Sequence, residues 1–275
     1  ANCPSFNNGK LPGISGDMTW YTTPQLVDMS GMLRSCTGFN QSMDASGIRI
    51  DLSPWNFKGV TTMNRLFEDC SMFNGSVNNW DLSSVTTLEN MFANCPSFNN
   101  GKLPGISGDM IWYTTPQLKS TYNMFQGCKS FNQSMDGSGT DASALSPWNF
   151  SGVKSMWGMF EQCTVFNGSV QNWDLRSLEN TTLMFHSSPF NNGKLPGVSG
   201  EMRWFTTSKL NDTEKMFQNC RSFSQNMDAR AGQTTSNWNF KGVTTMHSMF
   251  DDCTMFNGTV NNWDLSSVTT LETMF

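Results

Sequence analysis

Charge is scarce in this chain. Only 14% of its 275 residues are Asp, Glu, Lys or Arg, with 17 basic against 22 acidic side chains and a net charge of −5. No Lys/Arg cluster recurs along it, which argues against a nucleic-acid track. Only two histidines are present, His186 and His247, in different sequence contexts, so a His-centred catalytic or metal site is not expected. No apolar run approaches the roughly 18 residues of a membrane-spanning helix. No signal-peptide pattern, G-x-S-x-G elbow or phosphate loop is visible. With no acid, base and nucleophile set, the chain reads as a non-enzyme without cofactor or metal.

What is abundant is repetition. Residues 1–92, 93–185 and 186–275 are three versions of one block. Ala1–Leu26 returns as Ala93–Leu118 with the single change Thr19 to Ile111, and Phe67–Phe92 returns as Phe250–Phe275 with four changes. A fixed period of this kind marks a repeat architecture, read here as one array over 1–275 without internal domain boundaries. Each block holds three smaller units of the form Met-Phe-x-x-Cys-x-x-Phe-Asn, as at Met91–Asn99, with further starts at Met32, Leu66, Met124, Met159, Met184, Met216 and Met249. One unit per block is short. The other two carry insertions, such as Asn7–Met18 and Ser42–Ser53.

In the short unit, Val85, Leu88, Met91, Phe92 and Cys95 have the apolar spacing of a short helix, with Thr86–Glu89 as a capping box. Phe73–Val77 suits a short strand and Asn78–Asp81 a turn with an aromatic anchor. The expected fold is an α/β solenoid: leucine-rich-repeat-like stacked coils, each a short parallel strand plus a short helix, with insertions in two coils of every three. The 20 Met and 21 Phe then form the core, since the Met stripe follows the same spacing in every unit.

Trp80-Asp81-Leu82-Ser83-Ser84-Val85-Thr86, Met91–Phe98 and Trp263–Thr269 resemble the repeat of the BspA-like, leucine-rich-repeat-related surface proteins first noted in Mycoplasma lipoproteins. The resemblance implies a non-enzymatic surface or secreted protein. The regular insertions depart from the pattern.

Eight cysteines recur at one register position per coil, without paired zinc-ligand spacing. Two readings stand: small buried thiols, or staples between neighbouring coils, with Cys36–Cys70, Cys128–Cys163 and Cys220–Cys253 as the pairs, because Ser188 replaces only the first cysteine of the third block. Asn-x-Ser/Thr occurs at Asn40, Asn74, Asn132, Asn149, Asn167, Asn180, Asn211 and Asn257. Five of these follow the repeating Phe, a slot that suits an Asn ladder between coils. Asn180 and Asn211, on the expected solvent face of their helices, are the better glycosylation candidates. Asp136–Asp141 has oxygen-rich spacing but not the rest of a calcium loop. The chain starts and stops in mid-unit, which suggests a window of a longer array.

The expected function is that of an extracellular or cell-surface structural repeat protein. It would form a stiff rod or filament by stacking and self-association through Asn8–Met18, Asn100–Met110 and Asn192–Met202, unless these are only tolerated solvent loops. The alternative is an adhesin or receptor that binds a glycan or a surface protein.

Overall fold

The computed structural model describes residues 3–44, 55–136, 148–229 and 238–275. The greater part of Ser42–Ser53 and of Asp136–Asp141 therefore lies outside the described residues. Within them are eight strands of two residues each: β1 (Gly16–Asp17), β2 (Gln41–Ser42), β3 (Trp80–Asp81), β4 (Gly108–Asp109), β5 (Trp112–Tyr113), β6 (Gln133–Ser134), β7 (Gly200–Glu201) and β8 (Gln225–Asn226). They pair in parallel as β1–β2, β3–β5, β4–β6 and β7–β8. A longer ladder of parallel bridges runs Asp28, Thr62, Thr87, Ser120, Ser155, Asn180, Asp212, Thr245, Thr270. The chain thus returns to the same register after 25 to 35 residues, with the 25-residue step once per block. At about 4.8 Å between neighbouring strands, the nine rungs span about 40 Å.

The expected coil of strand plus helix is overturned. No α-helix occurs among the described residues, and the sheets are only two strands wide. The Met-Phe-x-x-Cys segment is instead a chain of tight turns. In one coil Leu66, Glu68 and Cys70 donate their N–H to the carbonyls three residues back, Met63, Arg65 and Phe67, while Arg65, Phe67 and Asp69 donate to Glu89, Met91 and Ala93 of the next coil. Arg65 and Asp69 lie in the left-handed region, as do Asn90 and Asn94, Asn123 and Gly127, Gly158 and Gln162 in later coils. A left-handed residue every fourth position is what the third residue of a type II turn requires. It also breaks an α-helix, and Asn, Asp and Gly, common here, tolerate it best. The short strand falls at Trp80–Asp81 rather than at Phe73–Val77.

Turn spacing still points Leu66, Phe67, Cys70 and Phe73 inward, and all four are fully buried. Their copies stack into columns. Phe67, Phe92, Phe125, Phe160, Phe185, Phe217 and Phe250 follow one another at 5.2 to 5.6 Å between ring centres. A second column runs through Phe73, Phe98, Phe131, Phe166, Phe190, Phe223 and Phe256 at 5.5 to 6.0 Å. Both fall in the range for offset aromatic pairs. The buried indoles, interleaved with Phe57, Phe150 and Phe240, form a third column, and each buried indole N–H finds a carbonyl one coil back: Trp80 reaches Met43 at 2.7 Å, Trp148 reaches Met110 at 2.8 Å and Trp173 reaches Met135 at 2.6 Å. No helix among the described residues is long and apolar enough to cross a membrane.

Candidate functional site

The feature that recurs once per block and faces outward is the segment following Asn7, Asn99 and Asn191. Asn8 and Gly9 are both left-handed, and the Lys10 N–H closes onto the Asn7 carbonyl at 3.1 Å. That combination makes a type I′ turn. Leu11-Pro12-Gly13-Ile14 follows as a second turn, closed by the Ile14 N–H on the Leu11 carbonyl at 3.1 Å, with Pro and a left-handed Gly in the type II positions. Leu103–Ile106 and Leu195–Val198 repeat it.

Two buried amides hold the turn rigid. Asn7 Nδ2 donates to Leu11 O at 2.6 Å and Ile14 O at 2.9 Å, while its Oδ1 accepts from Asn40 N and from Gln41 Nε2 at 2.6 Å. Asn99 with Gln133, and Asn191 with Gln225, repeat these bonds. The clamp turns apolar side chains out into water. Leu11, Leu103 and Leu195 are 76%, 74% and 74% exposed, and Ile14, Ile106 and Val198 are exposed beside them. Exposed Met72 and Met255 lie against Gly13 and Gly197, with Val165 against Gly105 in the second block. Sequence reading located this loop but not its apolar tip.

The asparagines form the ladder expected of them. The Oδ1 of Asn40 accepts the Asn74 N–H at 2.7 Å, Asn74 that of Asn99 at 2.7 Å, Asn132 that of Asn167 at 2.7 Å, and Asn167 that of Asn191 at 2.7 Å. The Nδ2 groups, the atoms a glycan would need, donate at 2.8 Å from Asn40 to Gly13 O, Asn74 to Lys102 O, Asn132 to Gly105 O and Asn167 to Lys194 O. The Asn257 N–H donates to Ser224 Oγ instead, at 3.1 Å. Asn180 and Asn211 are not on helices. Asn180 is a half-buried rung of the bridge ladder, Asn211 is exposed, and Asn149 is half-buried with its Oδ1 accepting from Ser151.

All eight cysteines are free thiols: Cys3 is exposed and the other seven are buried. The pairs Cys36–Cys70, Cys128–Cys163 and Cys220–Cys253 are not bridged. Instead, six of the thiols, from Cys70 onward, donate to a carbonyl one coil back, among them Cys70 to Leu33 and Cys95 to Phe67 at 2.9 Å, Cys128 to Phe92 at 3.1 Å and Cys220 to Phe185 at 2.8 Å. Burial pushes the Cys70 and Cys253 thiols up to about 12, and those of Cys95, Cys128 and Cys220 well above their ordinary range. They are inert as nucleophiles at neutral pH.

Both histidines sit beside a serine and a glutamate, which the sequence did not suggest. His186 Nδ1 is 3.3 Å from Glu161 Oε1 and its Nε2 is 3.2 Å from Ser187 Oγ. Gln126 Nε2 fixes the other carboxylate oxygen at 2.7 Å. The N–H groups of Ser187 and Ser188 are taken by Gln218 O and Phe185 O, so an oxyanion at Ser187 would find no donor from either. His247 is flanked by Ser248 and Glu272, with Ser248 Oγ held by Thr273 Oγ1 at 2.6 Å. Among the described residues no three His, Cys, Asp or Glu side chains cluster as metal ligands.

No curated protein and no solved structure matches the chain. A family model does, three times over, at residues 44–144, 138–235 and 227–275, and these matches take in most of the sequence. The tandem blocks are therefore repeats of one family unit. The chain belongs to the family described as Mycoplasma protein of unknown function, DUF285.

Proposed function

We propose that this protein is a non-enzymatic structural repeat protein of the cell exterior, whose copies associate with one another through the Leu-Pro-Gly-Ile tips. One observation carries the reading. The same large apolar side chains are held in water by the same buried clamp in all three blocks, at Leu11, Leu103 and Leu195. An exposed leucine alone needs no explanation. Three at one register, each flanked by Pro, by Ile or Val and by a Met or Val from another coil, form a periodic apolar ridge of the kind that marks interaction surfaces. With three coils between copies, the tips recur about every 15 Å. A second copy of the chain carries the same period, so one ridge matches another along its length, and repeated contacts raise avidity without any new chemistry. The resemblance to BspA-like surface proteins supports placement outside the cell.

The test is the triple variant Leu11→Asp, Leu103→Asp, Leu195→Asp, followed by sedimentation and electron microscopy against the parent. The parent should form higher-order species that the variant does not, with unchanged thermal unfolding. A parent that stays monomeric at high concentration refutes the proposal.

A further inference from the structure

The junction of the first and second blocks and that of the second and third differ in one cluster of positions on the loop side. Gln171 of the second block and Glu201 and Arg203 of the third stand where the preceding block has Asn78, Asp109 and Ile111. Together with Asn172, Lys194 and Gly200 they line an open cavity of about 280 Å³. That is just under the roughly 300–1,000 Å³ of small-molecule pockets, a size for one sugar-like ligand.

The substituted residues act on one another. Gln171 Nε2 donates to the Glu201 carbonyl at 2.9 Å and its Oε1 accepts the Arg203 N–H at 3.3 Å, so the longer amide clamps the segment that carries both charges. This arrangement costs a hydrogen bond elsewhere. At the first junction Asn100 Nδ2 donates to Asn78 Oδ1 at 2.8 Å. At the second, Gln171 has turned away, and Asn192 Nδ2, on a residue only 2% exposed, is buried with no partner among the described residues. Packing alone favours the first junction's arrangement, since a buried donor without an acceptor is destabilising.

From this we infer that the junction of the second and third blocks holds a binding site for a carboxylated sugar. Lys194 and Arg203 outnumber Glu201 and favour an anion. The planar guanidinium fork suits a carboxylate, and the exposed Asn172 amide beside it suits a sugar hydroxyl group. The site adjoins the Leu195–Val198 tip without including its apolar side chains, and its binding is read independently of self-association.

The experiment is a ¹H–¹⁵N NMR titration of the full chain with glucuronate, glucose and glucose 6-phosphate. Saturable shifts around Gln171, Lys194 and Arg203 are expected with glucuronate, and weaker ones with the other two. Arg203→Ile, which restores the second block's residue and keeps the fold, should weaken glucuronate binding roughly tenfold or more, as expected for loss of a charge-assisted contact. The graft Asn78→Gln, Asp109→Glu, Ile111→Arg should create a second set of shifts around Lys102. No saturable glucuronate shifts, equal response to the phosphate sugar, Arg203→Ile binding like the parent, or a graft without new shifts would each overturn the assignment.

Discussion

The inside and the outside of this molecule are repeated equally well, but for different reasons. Inside, repetition is imposed by stacking. Phe92 packs on Phe67 and Phe125, so a change in one coil disturbs two neighbours, and each buried Trp N–H depends on a carbonyl one coil back. At the loop tips no such constraint acts. Leu103 is 74% exposed, and a polar residue would cost the fold little there. Identity at Leu11, Leu103 and Leu195 therefore points to contacts with something other than the chain itself. The third block sharpens the contrast, since it keeps the tip while changing the nearby cavity wall at Glu201 and Arg203, where it meets Gln171 of the second block.

The most damaging way to break the inner repetition is a cavity in a phenylalanine column. Phe125→Ala should lower stability by about 3–5 kcal/mol, read as a shift in the denaturant midpoint. Alkaline pH should come next. The Cys70 and Cys253 thiols rise from 9.0 to about 12 on folding. A group whose pKa is raised in the folded state contributes fully below its unfolded value, and that contribution is lost as pH rises. Unfolding free energy should thus fall between pH 9 and 12, by on the order of a few kcal/mol per thiol, and less in a Cys70→Ala variant. Clamp loss should be smaller in stability but local in effect. Asn99→Ala strands Leu103 O, Ile106 O and the Asn132 N–H, for about 2–3 kcal/mol. Hydrogen exchange should speed up around residues 99–106. At the far end, Leu103→Asp alone should change stability by about 0.5 kcal/mol or less, while measurably reducing association in sedimentation.

Much of the plan is visible in the residues. Register follows from the spacing of Cys70, Cys95, Cys128 and Cys163, and the asparagine ladder follows from the slot after each Phe. The helix was misread for a definite physical reason. Apolar residues at Val85, Leu88, Met91, Phe92 and Cys95 fit successive tight turns as well as they fit a helix, because both bring every third or fourth side chain to one face. The signal that separates them is the set of left-handed-tolerant residues at Asn90, Asn94, Asn123, Gly127 and Gly158. Within a coil those positions come as a pair four residues apart. The cavity was missed for another reason: Arg203 and Gln171 are ordinary surface residues in isolation. They stand out only when aligned against Ile111 and Asn78.

The rungs of the bridge ladder are separated by as few as 25 and as many as 35 residues, yet every rung is occupied in the same parallel sense. Contour length between rungs is thus decoupled from the stacking of the wall. A peptide spliced into the tip so that the bonds of Asn99 to Leu103 O and Ile106 O and of Asn132 to Gly105 O stay in place would be displayed at fixed intervals. That would make the chain a ruler on which cargo can be hung at chosen marks.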